Sequence, residues 1–292
     1  MSGEAETVLR LSGISRRFGS VVANDDVSLH LRRGEIRALL GENGAGKTTL
    51  MNILFGHYTA DAGTVEVFGR PLPPGDPAAA LGAGVGMVHQ HFTLAGNLTV
   101  EENIVLGTEP LWRPARARRA ARARIAELSA AFGLAVDPSA RVGDLTVGER
   151  QRVEILKALY RDARILVLDE PTAVLTPQES AALFATLRQM AAQGLAIILI
   201  SHKLHEVLEL AGRAVVLRRG RVAGEVETAA TDRAGLAALM VGGAVDLPSA
   251  AAGTPGPVRL ALGDVTTRRR RGPGLTGVTL ELRGGEITGI AG

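Results

Sequence analysis

Gly41-Glu42-Asn43-Gly44-Ala45-Gly46-Lys47-Thr48 decides the fold of this chain. The octapeptide matches the P-loop pattern Gly-x-x-x-x-Gly-Lys-Ser/Thr. Residues 35–40 before it read as a strand. Residues 48–55 after it have helical spacing, with Gly56 placed as a C-terminal stop. Glycines let successive backbone N–H groups turn inward on an anion, and the helix N-terminus adds a favourable dipole. Lys47 is spaced to reach the terminal phosphates of a nucleotide, and the Thr48 hydroxyl to ligate Mg²⁺. The expected binding set is Gly41, Asn43, Gly44, Ala45, Gly46, Lys47, Thr48 and Thr49.

Farther along, Ile165-Leu166-Val167-Leu168 delivers Asp169-Glu170-Pro171, a Walker B pattern. Four aliphatics carry an acidic pair to the C-terminal end of a strand, where open α/β sheets bind ligands. Asp169 is expected to hold Mg²⁺ through water, and Glu170 to position or deprotonate an attacking water. Residues 85–88 and 196–200 are further apolar strands, and 149–160, 178–193 and 203–210 read as helices. Such alternation predicts an α/β fold whose parallel sheet is covered on both faces. Residues 8–14, 27–31 and 64–68 are strands of the half-buried kind, and 215–226 reads as a terminal hairpin. Residues 71–77 read as loop, and 113–132 as an Ala/Arg-rich helix.

At 292 residues, 46% hydrophobic and 22% charged, the chain can bury a core, which excludes a disordered tail. It has no cysteine, which excludes disulfides and thiolate-held zinc. No apolar run approaches the roughly 20 residues a spanning helix needs. The acidic N-terminus lacks the pattern of a signal peptide, so the cytoplasm is the expected compartment. Only Lys47, Lys157 and Lys203 are lysines; the other basic residues are arginine. Arg113, Arg116, Arg118, Arg119, Arg122 and Arg124 admit two readings, a phosphate-binding stripe or a solvated helix face. With aromatics at 3%, stacking platforms for single strands are scarce, which favours the solvated face and no nucleic-acid partner.

The chain repeats itself. Adding 251 to each number aligns residues 11–41 with 262–292 without a gap, and ten aligned pairs are identical. They include Leu31-Arg32-x-Gly34-Glu35-Ile36 against Leu282-Arg283-x-Gly285-Glu286-Ile287. Residues 248–257 between the copies are rich in Ala, Gly, Pro and Ser and read as linker. The expected organisation is a domain over 1–245, a linker over 246–257, and the truncated start of a second copy over 258–292.

Leu145-Thr146-Val147-Gly148-Glu149, upstream of Asp169, completes a set of motifs. Together they resemble those of ATP-binding cassette (ABC) transporter ATPases, over residues 8–243. The resemblance implies a P-loop NTPase cassette with a parallel-sheet core, an antiparallel β subdomain and a helical subdomain, plus the first strands of a second cassette. It implies ATP and Mg²⁺ as ligands. Two cassettes close head to tail, either a tandem copy or a homodimer. ATP then lies between one P-loop and the other cassette's Leu145, Thr146, Gly148 and Glu149. By the same resemblance Phe18 stacks on adenine, Gln90 senses Mg²⁺ and the γ-phosphate, and His202 contacts the γ-phosphate. The implied partners are transmembrane permease subunits and, indirectly, a solute-binding protein, at the cytoplasmic face of the membrane. Val147, the run from Arg150 to Leu159 and Met87-Val88-His89-Gln90-His91-Phe92 look like the simple-sugar and nucleoside (basic membrane lipoprotein-linked) importer branch.

Two positions depart from the family's pattern. Glu149 stands where glutamine is usual, and Thr176 where aspartate is usual. Thr176-Pro177-Gln178-Glu179 reads instead as a capping box with proline at the first helical position. In the second copy Arg269 falls where the first has Phe18. His89 and His91 are read as non-ligands, and His30, His57 and His205 as surface residues. The second functional reading is a soluble tandem-cassette ATPase acting on ribosomes or nucleic acid.

Overall fold

A computed structural model of the chain describes residues 6–90, 92–108, 116–243, 255–267 and 274–290, with backbone alone for 116–118. Arg113, His91, residues 246–254 of the linker, the arginines at 268–271 and Gly292 therefore lie outside the described residues. The chain divides into two units, 1–245 and 246–292.

In the first unit, the apolar runs become the strands of a six-stranded sheet. These are β3 (Ile36–Leu40), β6 (Val85–Val88), β7 (Ile165–Asp169), β8 (Ala196–Ile200), β9 (Arg213–Arg218) and β10 (Arg221–Glu227), in the order β10-β9-β3-β8-β7-β6. All neighbouring pairs are parallel except β9–β10. A four-stranded antiparallel sheet holds β1 (Thr7–Phe18), β2 (Val21–Arg32), β4 (Ala62–Val67) and β5 (Arg70–Pro71), in the order β2-β1-β4-β5. The span read as one terminal hairpin thus contributes β9 to the parallel core.

The two cores explain why the central strands lack a polar side. Along β7, Leu166 and Leu168 pack into one cluster while Ile165 and Val167 pack into the other. Along β8, Ile197 and Leu199 face the first, and Ala196, Ile198 and Ile200 the second. The first cluster is closed by α3 (Val100–Val105), α4 (Arg116–Phe132), α5 (Val147–Tyr160), α6 (Pro177–Ala192), α7 (Leu204–Leu210) and α8 (Arg233–Val241). The second is closed by α1 (Lys47–Leu54) and the inner faces of β1 and β2. Period-2 alternation sends neighbouring side chains to opposite faces, so both positions must be apolar when both faces are covered.

Besides α3, which opens on a Thr99–Glu102 capping box, two helices escape the sequence reading. One is α2 (Pro77–Gly82), where Asp76 caps by accepting the Ala79 N–H at 3.0 Å and Pro77 opens the helix. The other is α8, capped by Asp232 on the Gly235 N–H at 2.8 Å. Both carried a legible cap that the reading did not use.

The second unit contains the hairpin of β11 (Val258–Val265) and β12 (Val278–Arg283). Its register copies that of β1 and β2 pair for pair. Thr7↔Arg32, Leu9↔Leu31, Leu11↔Leu29 and Ile14↔Val27 become Val258↔Arg283, Leu260↔Leu282, Leu262↔Leu280 and Val265↔Val278. Side-chain braces recur as well. The Gly13 N–H donates to Ser28 Oγ at 3.0 Å, and the Asp264 N–H to Thr279 Oγ1 at 3.2 Å. The Asp26 N–H donates to Ser15 Oγ at 3.0 Å, and the Gly277 N–H to Thr266 Oγ1 at 3.0 Å. Each hairpin bends at one glycine and one aspartate, both at positive φ, on opposite strands. Gly13 and Asp26 do this in the first, and Asp264 and Gly277, with the residue types exchanged, in the second. The bend requires left-handed backbone on both strands, and glycine and aspartate are residues that tolerate it.

Candidate active site

The P-loop runs from the end of β3 to the start of α1, as the motif requires. Gly46 caps the helix at φ 104°, and a side chain there would drive into the Ala23 carbonyl. The fully buried Asn24 on β2 donates from Nδ2 to the Gly46 carbonyl at 3.2 Å. From the other side, the Gly220 N–H donates to the Ala45 carbonyl at 3.1 Å, while the Gly220 carbonyl accepts the Asp25 N–H at 2.8 Å. Arg221 then pairs with Asp25 at 2.5 Å. The loop is therefore clamped between β2 and the β9–β10 turn. The sequence reading missed both supports. Asn24 belongs to no nucleotide motif, and Gly220 is far away in the chain.

Lys47 is 8% exposed, and its Nζ donates to the Gly41 carbonyl at 2.6 Å and the Glu42 carbonyl at 3.0 Å. Burial pulls its pKa below the ordinary lysine range, while the carboxylates of Glu170 and Asp169 pull it back up. A cleft of about 410 Å³ brings together Phe18, Asn43, Ala45, Lys47, Gln90 and the acidic pair Asp169 and Glu170. Gly44, Gly46, Thr48 and Thr49 line the same cleft. Its size falls in the range of small-molecule sites. Phe18, at the mouth, is 40% exposed rather than a core aromatic. Tyr58 meets it edge-on at 5.4 Å, and the Arg16 guanidinium lies 4.8 Å from its ring centroid.

Asp169 ends β7, and Glu170 follows at φ 46°, left-handed backbone that costs a residue with a Cβ about 1 kcal/mol. The Glu170 N–H bonds the Ile200 carbonyl at 2.9 Å, which holds the turn against β8. Glu170 Oε1 lies 2.7 Å from Nδ1 of His202, the second residue after β8. Three strand ends thus deliver a buried cation, an acidic pair and an imidazole to one place. The oxygen donors at hand, Asp169, Thr48 and the Gln90 amide, fit Mg²⁺. That cation takes one or two carboxylates and completes its shell with water and phosphate oxygens. Among the described residues no cluster of three acidic, His or Cys side chains offers an all-protein metal cage.

Burial pushes the Asp169 carboxyl above the ordinary aspartate range. Glu170 adds to that, and His89 and Lys47 oppose it. A raised acid pKa means that the fold holds the ionised form at a cost. The cost is present above the folded pKa and is relieved as pH falls through it. Asp169→Asn is therefore expected to raise the nucleotide-free melting temperature at neutral pH. The gain should shrink as the solution is acidified and the carboxyl takes up its proton. Melting curves at neutral and acidic pH check this, and a lower midpoint for the variant at neutral pH would contradict it.

Leu145, Thr146, Gly148 and Glu149 lie outside this cleft, at the start of α5. Thr146 and Glu149 form a capping box. The Glu149 N–H donates to Thr146 Oγ1 at 3.3 Å, and Glu149 Oε2 accepts the Thr146 N–H at 2.8 Å. The Thr146 N–H first, and then the Thr146 hydroxyl, which donates to Oε2 at 2.8 Å, hold the Glu149 carboxyl below the ordinary glutamate range. The departure from glutamine thus has a local use. The capping box expected at Thr176 also forms, with Glu179 Oε2 accepting the Thr176 N–H at 2.9 Å. One histidine differs from expectation. His30 is half-buried, with Nε2 3.2 Å from the Arg37 guanidinium, and burial lowers its pKa. His57 and His205 are exposed.

A family model described as ABC transporter matches residues 24–173, just over half of the chain. The chain belongs to the ABC transporter family. The matched span runs from the Asn24 support through Lys47 and Gln90 to Asp169 and Glu170, so it contains most of the cleft. The nucleoside import ATP-binding protein NupA of Lactococcus lactis is 46% identical, over 98% of this chain and 57% of NupA. The glucose import ATP-binding protein TsgD13 of Haloferax volcanii is 44% identical, over 98% of this chain and 58% of its own length. This ABC chain therefore spans a little over half the length of the curated relatives it matches. Among solved structures, the cassette MJ1267 in its ADP conformation aligns with a TM-score of 0.70 at 25% identity. It covers 80% of this chain and 95% of MJ1267. No described helix is long and apolar enough to cross a membrane.

Proposed function

We propose that this chain is the ATP-binding and ATP-hydrolysing energy subunit of an ABC importer for nucleosides or simple sugars. The observation that carries the reading is the 2.7 Å approach of Glu170 to His202 beside the Lys47 loop. Glu170 orients and takes a proton from water, His202 steadies that carboxylate and faces the γ-phosphate, and Lys47 neutralises the phosphates. Mg²⁺, held by Thr48, Gln90 and Asp169, supplies charge neutralisation to the phosphate oxygens when bound. Phe18 offers an aromatic face to the base. Leu145, Thr146, Gly148 and Glu149 act on the nucleotide of a second cassette, which is why they stand apart from the cleft.

The hairpin of residues 258–283 supports a tandem arrangement. Register, bend and braces all repeat at one offset, as expected of the opening of a second cassette. A separate groove of about 190 Å³, lined by Phe55, Pro77, Leu81, Met87, Glu154 and Lys157, suits permease contact next to Gln90. The permease places the chain at the cytoplasmic face of the membrane, with a solute-binding protein acting indirectly. The nucleic-acid reading is the weaker one. Arg122 is paired with Glu101 at 2.5 Å, and Arg124 with Glu127 and Asp162 at 3.1 and 3.4 Å.

Uptake tests the proposal. Cells lacking the gene are expected to lose import of labelled nucleosides, or of ribose or glucose. Unchanged uptake of every one, with protein that retains RNA or DNA on filters and releases it steeply with salt, would overturn it.

A further inference from the structure

Glu206 on α7 is a buried carboxylate that none of the steps above uses. It is 2% exposed, as are Thr172 and Ser201 beside it. Its Oε1 accepts the Thr172 hydroxyl and pairs with Lys203 Nζ at 3.2 Å. Its Oε2 accepts the Ser201 hydroxyl at 3.2 Å. Lys203 closes the ring. Its Nζ donates to the Thr172 carbonyl at 3.1 Å, and its N–H to Ser201 Oγ at 3.0 Å.

The position of this ring gives it a use. Thr172 lies two residues after Glu170, and Ser201 lies immediately before His202. The β7–β8 ladder ends at Asp169↔Ile200, and the Glu170 N–H to the Ile200 carbonyl is the last backbone tie between the two segments among the described residues. Past that point side chains must hold the segments in register. The His202 side chain is half exposed and so has little packing of its own to fix it.

We infer that Glu206 is a positioning residue for hydrolysis. One carboxylate grips Thr172 and Ser201, and thereby sets the separation of Glu170 and His202. The inference rests on the reading of Glu170 and His202 as the hydrolytic pair. Lys203 keeps the charge of Glu206 compensated, and Thr172 and Ser201 fill its remaining acceptor sites, as a buried carboxylate requires. A residue that only stabilised the fold would change melting without a selective effect on turnover. One that positions the pair should change kcat and leave ATP binding alone, because among the described residues the ring's hydrogen bonds and ion pair reach neither the P-loop nor Phe18.

The test uses steady-state kinetics and ATP affinity of the native complex purified from cells. Glu206→Gln keeps the shape, loses the ion pair with Lys203 and turns an amide donor on a hydroxyl. Thr172→Val keeps the shape and loses the hydroxyl. Each is expected to lower kcat by about 10–100-fold with KM for ATP within about twofold, the scale of a small misplacement of reacting groups. Thr172→Ser restores the hydroxyl and should recover most of kcat. If Glu206→Gln does not fold, Thr172→Val reads the same ring. Wild-type kcat in both folded variants, or a loss confined to ATP affinity or melting temperature, overturns the positioning role. A wild-type complex without ATPase activity overturns the hydrolytic reading itself, and this inference with it.

Discussion

Glu170→Gln is expected to bind ATP as the wild type does and to hydrolyse it about 10²–10⁴-fold more slowly, the range for loss of a general base. The substitution is close to isosteric and leaves the backbone unchanged. Glutamine adopts φ 46° no less readily than glutamate, and the N–H to Ile200 remains. Its amide oxygen can still meet His202 Nδ1 at the wild-type distance of 2.7 Å. What it cannot do is accept a proton from water. The Lys47 contacts and Phe18 are untouched, so ground-state affinity stays. Loss of kcat with nucleotide binding intact is the signature of an interaction made only in the transition state. Single-turnover hydrolysis and equilibrium ATP binding, measured on the assembled complex, separate the two. Wild-type turnover in the glutamine variant would remove Glu170 from the role of base.

The motif-bearing strands were legible because their chemistry is local. A P-loop needs its glycines and lysine within eight residues, and an all-apolar strand ending in Asp-Glu declares both its burial and its exit. The partners that brace these motifs were not legible. Asn24 and Gly220 support the P-loop from elements that come together only when β9 pairs with β3. The same holds for Glu206. It reads as an ordinary helix glutamate until β7 and β8 pair and bring Thr172 and Ser201 to its two oxygens. Glu149 shows the opposite failure. Its identity stands out as a departure from the family's glutamine, while its spacing from Thr146 already spells a capping box of the kind at Thr176. The repeat was visible as ten identities. The exchange of glycine and aspartate at its bend was not, because Gly13/Asp264 and Asp26/Gly277 are mismatches that only paired geometry makes equivalent.

Lys47→Ala is expected to weaken ATP binding by about 10–100-fold, since a charge-assisted hydrogen bond is worth roughly 1.5–3 kcal/mol and each 1.4 kcal/mol is tenfold. Three consequences of the truncation act together. The phosphates lose a point charge, the Gly41 and Glu42 carbonyls lose their donor at 2.6 and 3.0 Å, and Asp169 and Glu170 lose a cation that offsets their mutual repulsion. The first weakens binding directly. The second loosens the loop whose N–H groups must converge on the phosphates. The third leaves two carboxylates facing a polyanion. Lys47→Arg is not a rescue in this setting. A planar guanidinium is longer than an ammonium, and the lysine head is enclosed at 8% exposure against two carbonyls. That distinction bears on a chain in which arginine supplies nearly all the positive charge and lysine occurs at 47, 157 and 203 alone. Equilibrium binding of ATP to the wild type, the alanine variant and the arginine variant measures it. Affinity restored by arginine would mean that positive charge alone matters at this position, and that the compact fit of the ammonium does not.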